Sequence, residues 1–187
     1  MDIANLVPTE YRSLRALRLH LGILSHMKKM GRRADDVWKR MPWERFQRLM
    51  FRLQRAIFKA QKNGNKAKVK LLQRLLLRSR AAQALAVRQV TQNNQGKKTP
   101  GVDGKTALST KQRLQLCRKL NKHWSSWKHQ KLRRVNIPKP NGKTRGLGIP
   151  TIADRAWQCL LKFAAEPAYE AAGGRKELRL QTRTFYP

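Results

Sequence analysis

From Arg45 to Ala153 the sequence places 28 lysines and arginines and a single acid, Asp103. A fold for such a stretch must turn an apolar stripe inward on every element and keep the cations outside, because a single acid cannot neutralise them in a core. The whole chain carries 43 Lys and Arg against 10 Asp and Glu in 187 residues, a formal net charge of +33. Self-repulsion on that scale is relieved by a polyanion, and a phosphate backbone has the matching charge.

The chain is long enough for one ordinary domain or two small ones, and 40% apolar residues with five Trp and five Phe supply a core. It is not a disordered basic tail. Cys117 and Cys159 lie far apart in a chain with no secretory signal, which points to a reducing compartment, bacterial cytoplasm or organelle matrix, and not to secretion. No uncharged apolar run reaches membrane-spanning length, so no membrane partner is expected. Cys117, His123 and His129 form a Cys-x5-His-x5-His string, but zinc modules normally open with a closely spaced pair, and a fourth ligand is missing.

Leu14, Leu17, Leu21 and Leu24 recur at helical spacing among arginines and lysines, so residues 1–40 read as a basic amphipathic arm. An RNA-binding appendage, an interfacial membrane helix, an organelle-targeting peptide and a solvated arm of no specific role all remain open, with Asp2 and Glu10 weighing against targeting. Trp43, Phe46, Met50, Leu53, Ile57 and Ala60 step by three and four and predict a helix that Asn63-Gly64-Asn65 stops. Val69, Leu72, Leu76, Ala82, Leu85 and Ala86 predict a second helix folding back on it. Arg45, Arg48, Arg52, Arg55, Lys59, Lys66, Lys68, Lys70 and Arg74 are left facing out.

Residues 92–104 break the periodicity with Pro100-Gly101 and Asp103-Gly104 turns, and carry Lys97 and Lys98. The lone Asp103 suits a backbone acceptor in a turn better than a catalytic carboxylate, which would need a partner. Thr110 to Gln130 reads as a third helix with Leu114, Cys117, Leu120 and Trp124 on one side. Arg133 and Arg134 begin a strand-like run to Pro138 in a hairpin over residues 133–150, in which Val135 and Ile137 face Leu147 and Ile149 across a turn containing Asn141-Gly142. Thr151 to Asp154 fits a capping box that opens a helix stopping near Pro167. Trp38, Trp43, Trp124, Trp127 and Trp157 suit core positions, with Trp127, beside Lys128 and His129, the one best placed to stack on an unpaired base.

In order, the strings Leu85-Ala86-Val87-Arg88-Gln89-Val90-Thr91, Lys98-Thr99-Pro100-Gly101-Val102-Asp103-Gly104, Leu132 to Lys143, Leu147 to Ala156, and Glu166-Pro167 resemble the N-terminal part of group II intron reverse transcriptases and maturases. The resemblance covers residues 37–170. It implies a mainly α fold with a small β-hairpin, an N-terminal helical extension plus the partial fingers subdomain of a right-hand reverse transcriptase. The organisation is then an arm at 1–40, the extension at 41–110, fingers at 111–170 and a divergent tail at 171–187. By the same resemblance, Lys139 and Arg145 correspond to fingers residues on the triphosphate of an incoming nucleotide. A two-residue turn would place them on opposite faces of the hairpin, and a three-residue loop or a bulge on one. Alternatively, they contact only RNA backbone or solvent.

The palm carboxylates that hold two Mg²⁺ ions in that family have no counterpart in this sequence. The resemblance therefore implies no catalytic residue, metal ligand or cofactor in the chain, with Mg²⁺ needed only by a complete reverse transcriptase, and no polymerase activity from the chain alone. The leading expectation is a truncated or split maturase module that grips structured intron RNA, and template RNA or DNA, through Arg45, Arg48, Arg52, Arg55, Lys66, Lys68, Lys70, Arg74, Lys97, Lys98, Arg133 and Arg134. A second is one piece of a split polymerase completed by a separately encoded palm and thumb chain, and a third is a structural RNA-binding protein of ribosomal type.

Overall fold

The computed structural model describes residues 34–173 except 107 and 141; most of the predicted basic arm and most of the tail lie outside them. The chain divides into two units, Met1–Pro42 and Trp43–Pro187. In the first, helix α1 (Ala34–Lys39) sets Asp35 and Asp36 in its first turn and Lys39 in its last, the order a helix dipole favours, and Trp38 is buried.

In the second unit, α2 (Trp43–Lys62) buries Phe46, Met50, Leu53, Ile57 and Ala60, the stripe set by its three-and-four spacing. It ends in a Schellman motif: the Asn65 N–H donates to Ala60 O at 3.0 Å, the Gly64 N–H donates to Gln61 O at 3.0 Å, and Gly64 sits at φ +66°. Asn65 then caps the next helix, its Oδ1 accepting from the Lys68 N–H at 2.9 Å, so α3 (Lys66–Arg78) folds straight back on α2.

The apolar run from Val69 to Ala86 is not one helix. Ser79 interrupts it with an extended backbone and caps α4 (Arg80–Arg88) through its hydroxyl. The side-chain amide of Gln83 donates to Leu77 O at 2.8 Å and satisfies a carbonyl exposed by the break. The interruption frees α4 to take its own direction, and residues 81–87 are all buried, which makes this alanine-rich segment the centre of the bundle. It packs on α2, α3, α5 and α6. A π-turn (Gln89–Asn93) and a short 3₁₀ turn (Gln95–Lys98) lead into the basic loop.

Helix α5 spans Thr110–Lys122, opened by a reciprocal capping box between Ser109 and Gln112. It stops well short of Gln130 and buries Leu116 and Leu120, with Leu114 and Cys117 half-buried. Residues 123–126 turn instead, the Ser126 N–H donating to His123 O at 3.2 Å, and 127–132 form an irregular connection in which Trp127 and Gln130 are held by Asp154. Strands β1 (Arg133–Pro138) and β2 (Thr144–Ile149) pair antiparallel, Val135 opposite Leu147 and Arg133 opposite Ile149.

The last described helix, α6 (Ile152–Ala172), runs through Pro167 without stopping. A proline removes the N–H that would reach the carbonyl four residues back, here Phe163 O. Gln54 Nε2 of α2 donates to that carbonyl at 3.1 Å, and Gln73 Nε2 of α3 donates to Ala164 O at 3.1 Å. Two glutamines from neighbouring helices replace what the proline disturbs, so the helix continues. Ile57, Leu72, Leu76, Leu85 and Leu160 are fully buried in this core, each worth about 1.5–3 kcal/mol.

Candidate nucleic-acid interface

On α2, Arg45, Arg48, Arg52 and Arg55 are exposed, and Lys59 and Lys62 continue the same alternation of threes and fours. That spacing puts six cations along one face, opposite the buried stripe, over about 26 Å of helix. Successive cations lie closer together than the Debye length of about 8–10 Å, so their fields add. Phe51 and Phe58 flank the ridge, with the Arg55 guanidinium 5.6 Å and the Lys62 ammonium 5.3 Å from the respective ring centroids. Lys59 and Lys62 stand outside the predicted site residues, although their spacing extends the pattern that identifies the other four.

On α3, Lys66, Lys70 and Arg74 recur every four residues and are exposed, and Arg78 extends the row. Lys68 falls between rows and is half-buried. In the loop, Lys98 is exposed, while Lys97 donates its Nζ to Gln92 O at 2.8 Å. Arg133 and Arg134 lie at the start of β1, on opposite faces of the ribbon. Arg133 Nη1 reaches Pro100 O at 3.4 Å.

The acids among the described residues serve other ends. Asp35, Asp36, Glu44 and Asp154 occupy first turns of helices. Glu166 faces Lys162 at 3.8 Å, and Glu170 is buried. Glu44 meets Arg48 at 3.7 Å with both side chains exposed, an ion pair of little weight. Asp103 accepts from the Lys105 N–H at 3.4 Å inside its turn, the local role its sequence context suggests.

At the hairpin tip the Lys139 N–H donates to Lys143 O at 2.7 Å and the Gly142 N–H donates to Lys139 O at 3.1 Å, with Gly142 at φ +73°. Lys139 therefore opposes Lys143 across a three-residue connection. Arg145 opposes Ile137, which shares a face with Lys139. Both residues fall on one face of the ribbon and are exposed.

Trp38 and Trp157 are buried. Each of the three half-buried tryptophans lies under a cation: Trp43 under Arg88 at 4.6 Å, Trp124 under Arg78 at 5.8 Å, and Trp127 under Lys119 at 5.0 Å. Trp127 also stacks on Trp157 and donates its Nε1 to Asp154 Oδ1 at 2.9 Å, which gives it a structural role and not that of a free base platform. Burial pushes the Cys117 thiol up to about 12, away from the thiolate that zinc requires. No three His, Cys, Asp or Glu side chains gather into a metal-holding group among the described residues, and no helix there is long and apolar enough to cross a membrane.

Residues 38–120 match the family described as the N-terminal domain of reverse transcriptase. Maturase-like protein 1 of Euglena gracilis is 43% identical over 129 residues, covering 69% of this chain and 28% of that protein. Maturase-like protein 1 of Euglena longa is 31% identical over 131 residues, covering 70% of this chain and 29% of the relative. Protein YkfC of Escherichia coli (strain K12) is 43% identical over 86 residues, covering 44% of this chain and 22% of the relative. The chain thus spans less than a third of the length of each.

Proposed function

The chain is an N-terminal segment of the group II intron reverse transcriptase and maturase type, and on that premise we propose that it binds structured intron RNA through the sugar-phosphate backbone, as a maturase module acting in splicing or retrotransposition. The observation that carries this reading is the α2 ridge: six cations on one exposed face, with the acids of the structure engaged in helix starts, turns and local pairs. Folded RNA presents shape, phosphates and 2′-hydroxyls more than base edges, and such a row addresses phosphates. A filter-binding titration against a long RNA stem-loop tests it. With about six to ten phosphate contacts, affinity falls about 10³- to 10⁵-fold between low and moderate salt. A flat response refutes the reading.

One observation favours a second role. Lys139 and Arg145 share a hairpin face, the arrangement that lets an ammonium and a guanidinium hold one triphosphate. In this reading the chain is a piece of an RNA-directed DNA polymerase whose palm, with the carboxylates for Mg²⁺, is supplied by another polypeptide. Primer extension that requires mixing the two chains tests it. Either role belongs to a bacterial cytoplasm or an organelle matrix, where introns are spliced.

A further inference from the structure

Two consecutive residues at the start of α6 hold three separate stretches of chain. Asp154, 2% exposed, accepts at Oδ1 from Trp127 Nε1 (2.9 Å) and at Oδ2 from the Gln130 N–H (3.2 Å) and the Thr151 hydroxyl (2.7 Å). His129 Nδ1 stands 3.3 Å from the same Oδ1. Gln130 leads into β1 and Thr151 follows β2, so one carboxylate ties both roots of the hairpin.

Arg155 serves the basic loop. Its Nη1 donates to Gly96 O at 2.8 Å and its Nη2 to Thr99 O at 2.6 Å, on either side of Lys97 and Lys98. Its Nε is buried with no hydrogen-bond partner. A guanidinium whose two outer nitrogens are spent on backbone carbonyls is poorly placed to grip a phosphate, and its geometry is that of a brace. Two contacts reinforce it. A Cβ on Gly101 would fall 2.6 Å from Thr151 Cα, so the loop lies directly against the hairpin root, and Arg133 of β1 reaches Pro100 O.

We propose that Asp154 and Arg155 are positioning residues that lock the basic loop to the root of the hairpin, so that Lys97 and Lys98 and the hairpin cations are presented to RNA as one fixed unit. The functional consequence rests on the RNA-binding reading; the brace itself does not. Preorganisation of this kind raises affinity by removing the ordering cost from the binding step.

The test uses the full chain with Arg155→Ala and Arg155→Lys, and has one arm without RNA. Amide exchange of Thr99 and Gly104, whose N–H groups donate to Gly96 O and Gly101 O, is expected to accelerate about tenfold or more in Arg155→Ala and less in Arg155→Lys, with Leu72 and Leu76 of α3 unchanged. Asp154→Asn is expected to accelerate exchange at Gln130. Unchanged exchange at Thr99, Gly104 and Gln130 overturns the brace. The second arm measures affinity for a long RNA stem-loop at fixed low salt. Lys97→Ala with Lys98→Ala is expected to weaken the wild type several-fold and to have no further effect on Arg155→Ala, while Arg45→Ala with Arg48→Ala weakens both backgrounds equally. Additive effects of the loop pair and Arg155→Ala overturn the coupling. Absence of RNA binding by the wild type rejects the RNA reading, and the exchange arm still decides the brace.

Discussion

Gln54 on α2 donates its side-chain amide across 3.1 Å to the backbone carbonyl of Phe163 on α6, the acceptor that Pro167 leaves without its helical donor. The pair lies 109 residues apart in sequence, and the bond is buried. A helix that carries an interior proline is thereby tied, at the carbonyl the proline leaves open, to the helix packed against it.

Removing that amide strands a buried carbonyl. Gln54→Ala is expected to lower unfolding free energy by about 1–3 kcal/mol in a denaturant titration. Pro167→Ala restores a backbone donor to Phe163 O, so Gln54→Ala should cost measurably less in that background. Equal costs in the two backgrounds would show that Gln54 acts through packing alone.

Asp154 gives stability a defined pH dependence. Burial alone would raise its pKa, but the hydrogen bonds from Trp127, Thr151 and Gln130, with the nearby His129, outweigh it and hold the carboxyl below the ordinary range. The folded state thus binds fewer protons than the unfolded state through that window. The contribution is present above the unfolded value of about 3.9 and disappears as pH falls through the lower folded value. Asp154→Asn is expected to lose about 1.5–3 kcal/mol at neutral pH and to flatten this acid limb, read as unfolding free energy against pH.

Two glycines separate conformational strain from steric exclusion. Gly64 has φ +66° with open space around it, so Gly64→Ala should cost about 1–2 kcal/mol, and Gly64→Asn less. Gly101 has no unusual φ, but an added Cβ meets Thr151 Cα at 2.6 Å and Thr151 N at 2.8 Å, backbone atoms with no rotamer to escape into. Gly101→Ala should push the loop off the hairpin root and expose it to limited proteolysis, whereas Gly64→Ala leaves the cleavage pattern unchanged.

The hairpin register predicts a charge-neutral loss of function. Exchanging Arg145 with its neighbour, as Arg145→Gly with Gly146→Arg, keeps the turn and the charge but moves the guanidinium to the face opposite Lys139. Calorimetric titration with inorganic tripolyphosphate is expected to show the same loss of affinity for this exchange as for Lys139→Ala with Arg145→Ala. Retained affinity in the exchange would mean that net charge, and not a shared face, attracts the phosphates.

Local periodicity made much of this structure readable from sequence. The α2 stripe, the Asn63-Gly64-Asn65 stop, the hairpin and the Thr151 cap each depend on residues within a few positions of one another. The features missed are decided by distant partners. Pro167 continues the helix because Gln54 and Gln73 come from other helices, and α5 ends early because Asp154 draws Trp127 and Gln130 into a different course. Ser79 did carry a readable signal, being a capping residue inside a long apolar run, and the continuous period masked it. In the candidate interface, spacing alone identifies the α2 ridge, whereas the engagement of Lys97 with Gln92 O and of Arg155 with two carbonyls depends on the tertiary course of the loop. The common face of Lys139 and Arg145 needed the turn geometry, which Asn-Gly by itself leaves open between two- and three-residue connections.

The claim that the α2 cations track a phosphate backbone is tested most directly by the salt dependence of binding to a long RNA stem-loop, measured for the wild type and for a variant with Arg45, Arg48, Arg52 and Arg55 all replaced by alanine. Each phosphate contact contributes a slope of about −0.7 to −0.9 in log affinity against log salt. The four substitutions are expected to make the slope shallower by about three units and to weaken all structured RNAs to a similar degree. An unchanged slope, with the variant folded as judged by its far-ultraviolet circular dichroism, would contradict the account.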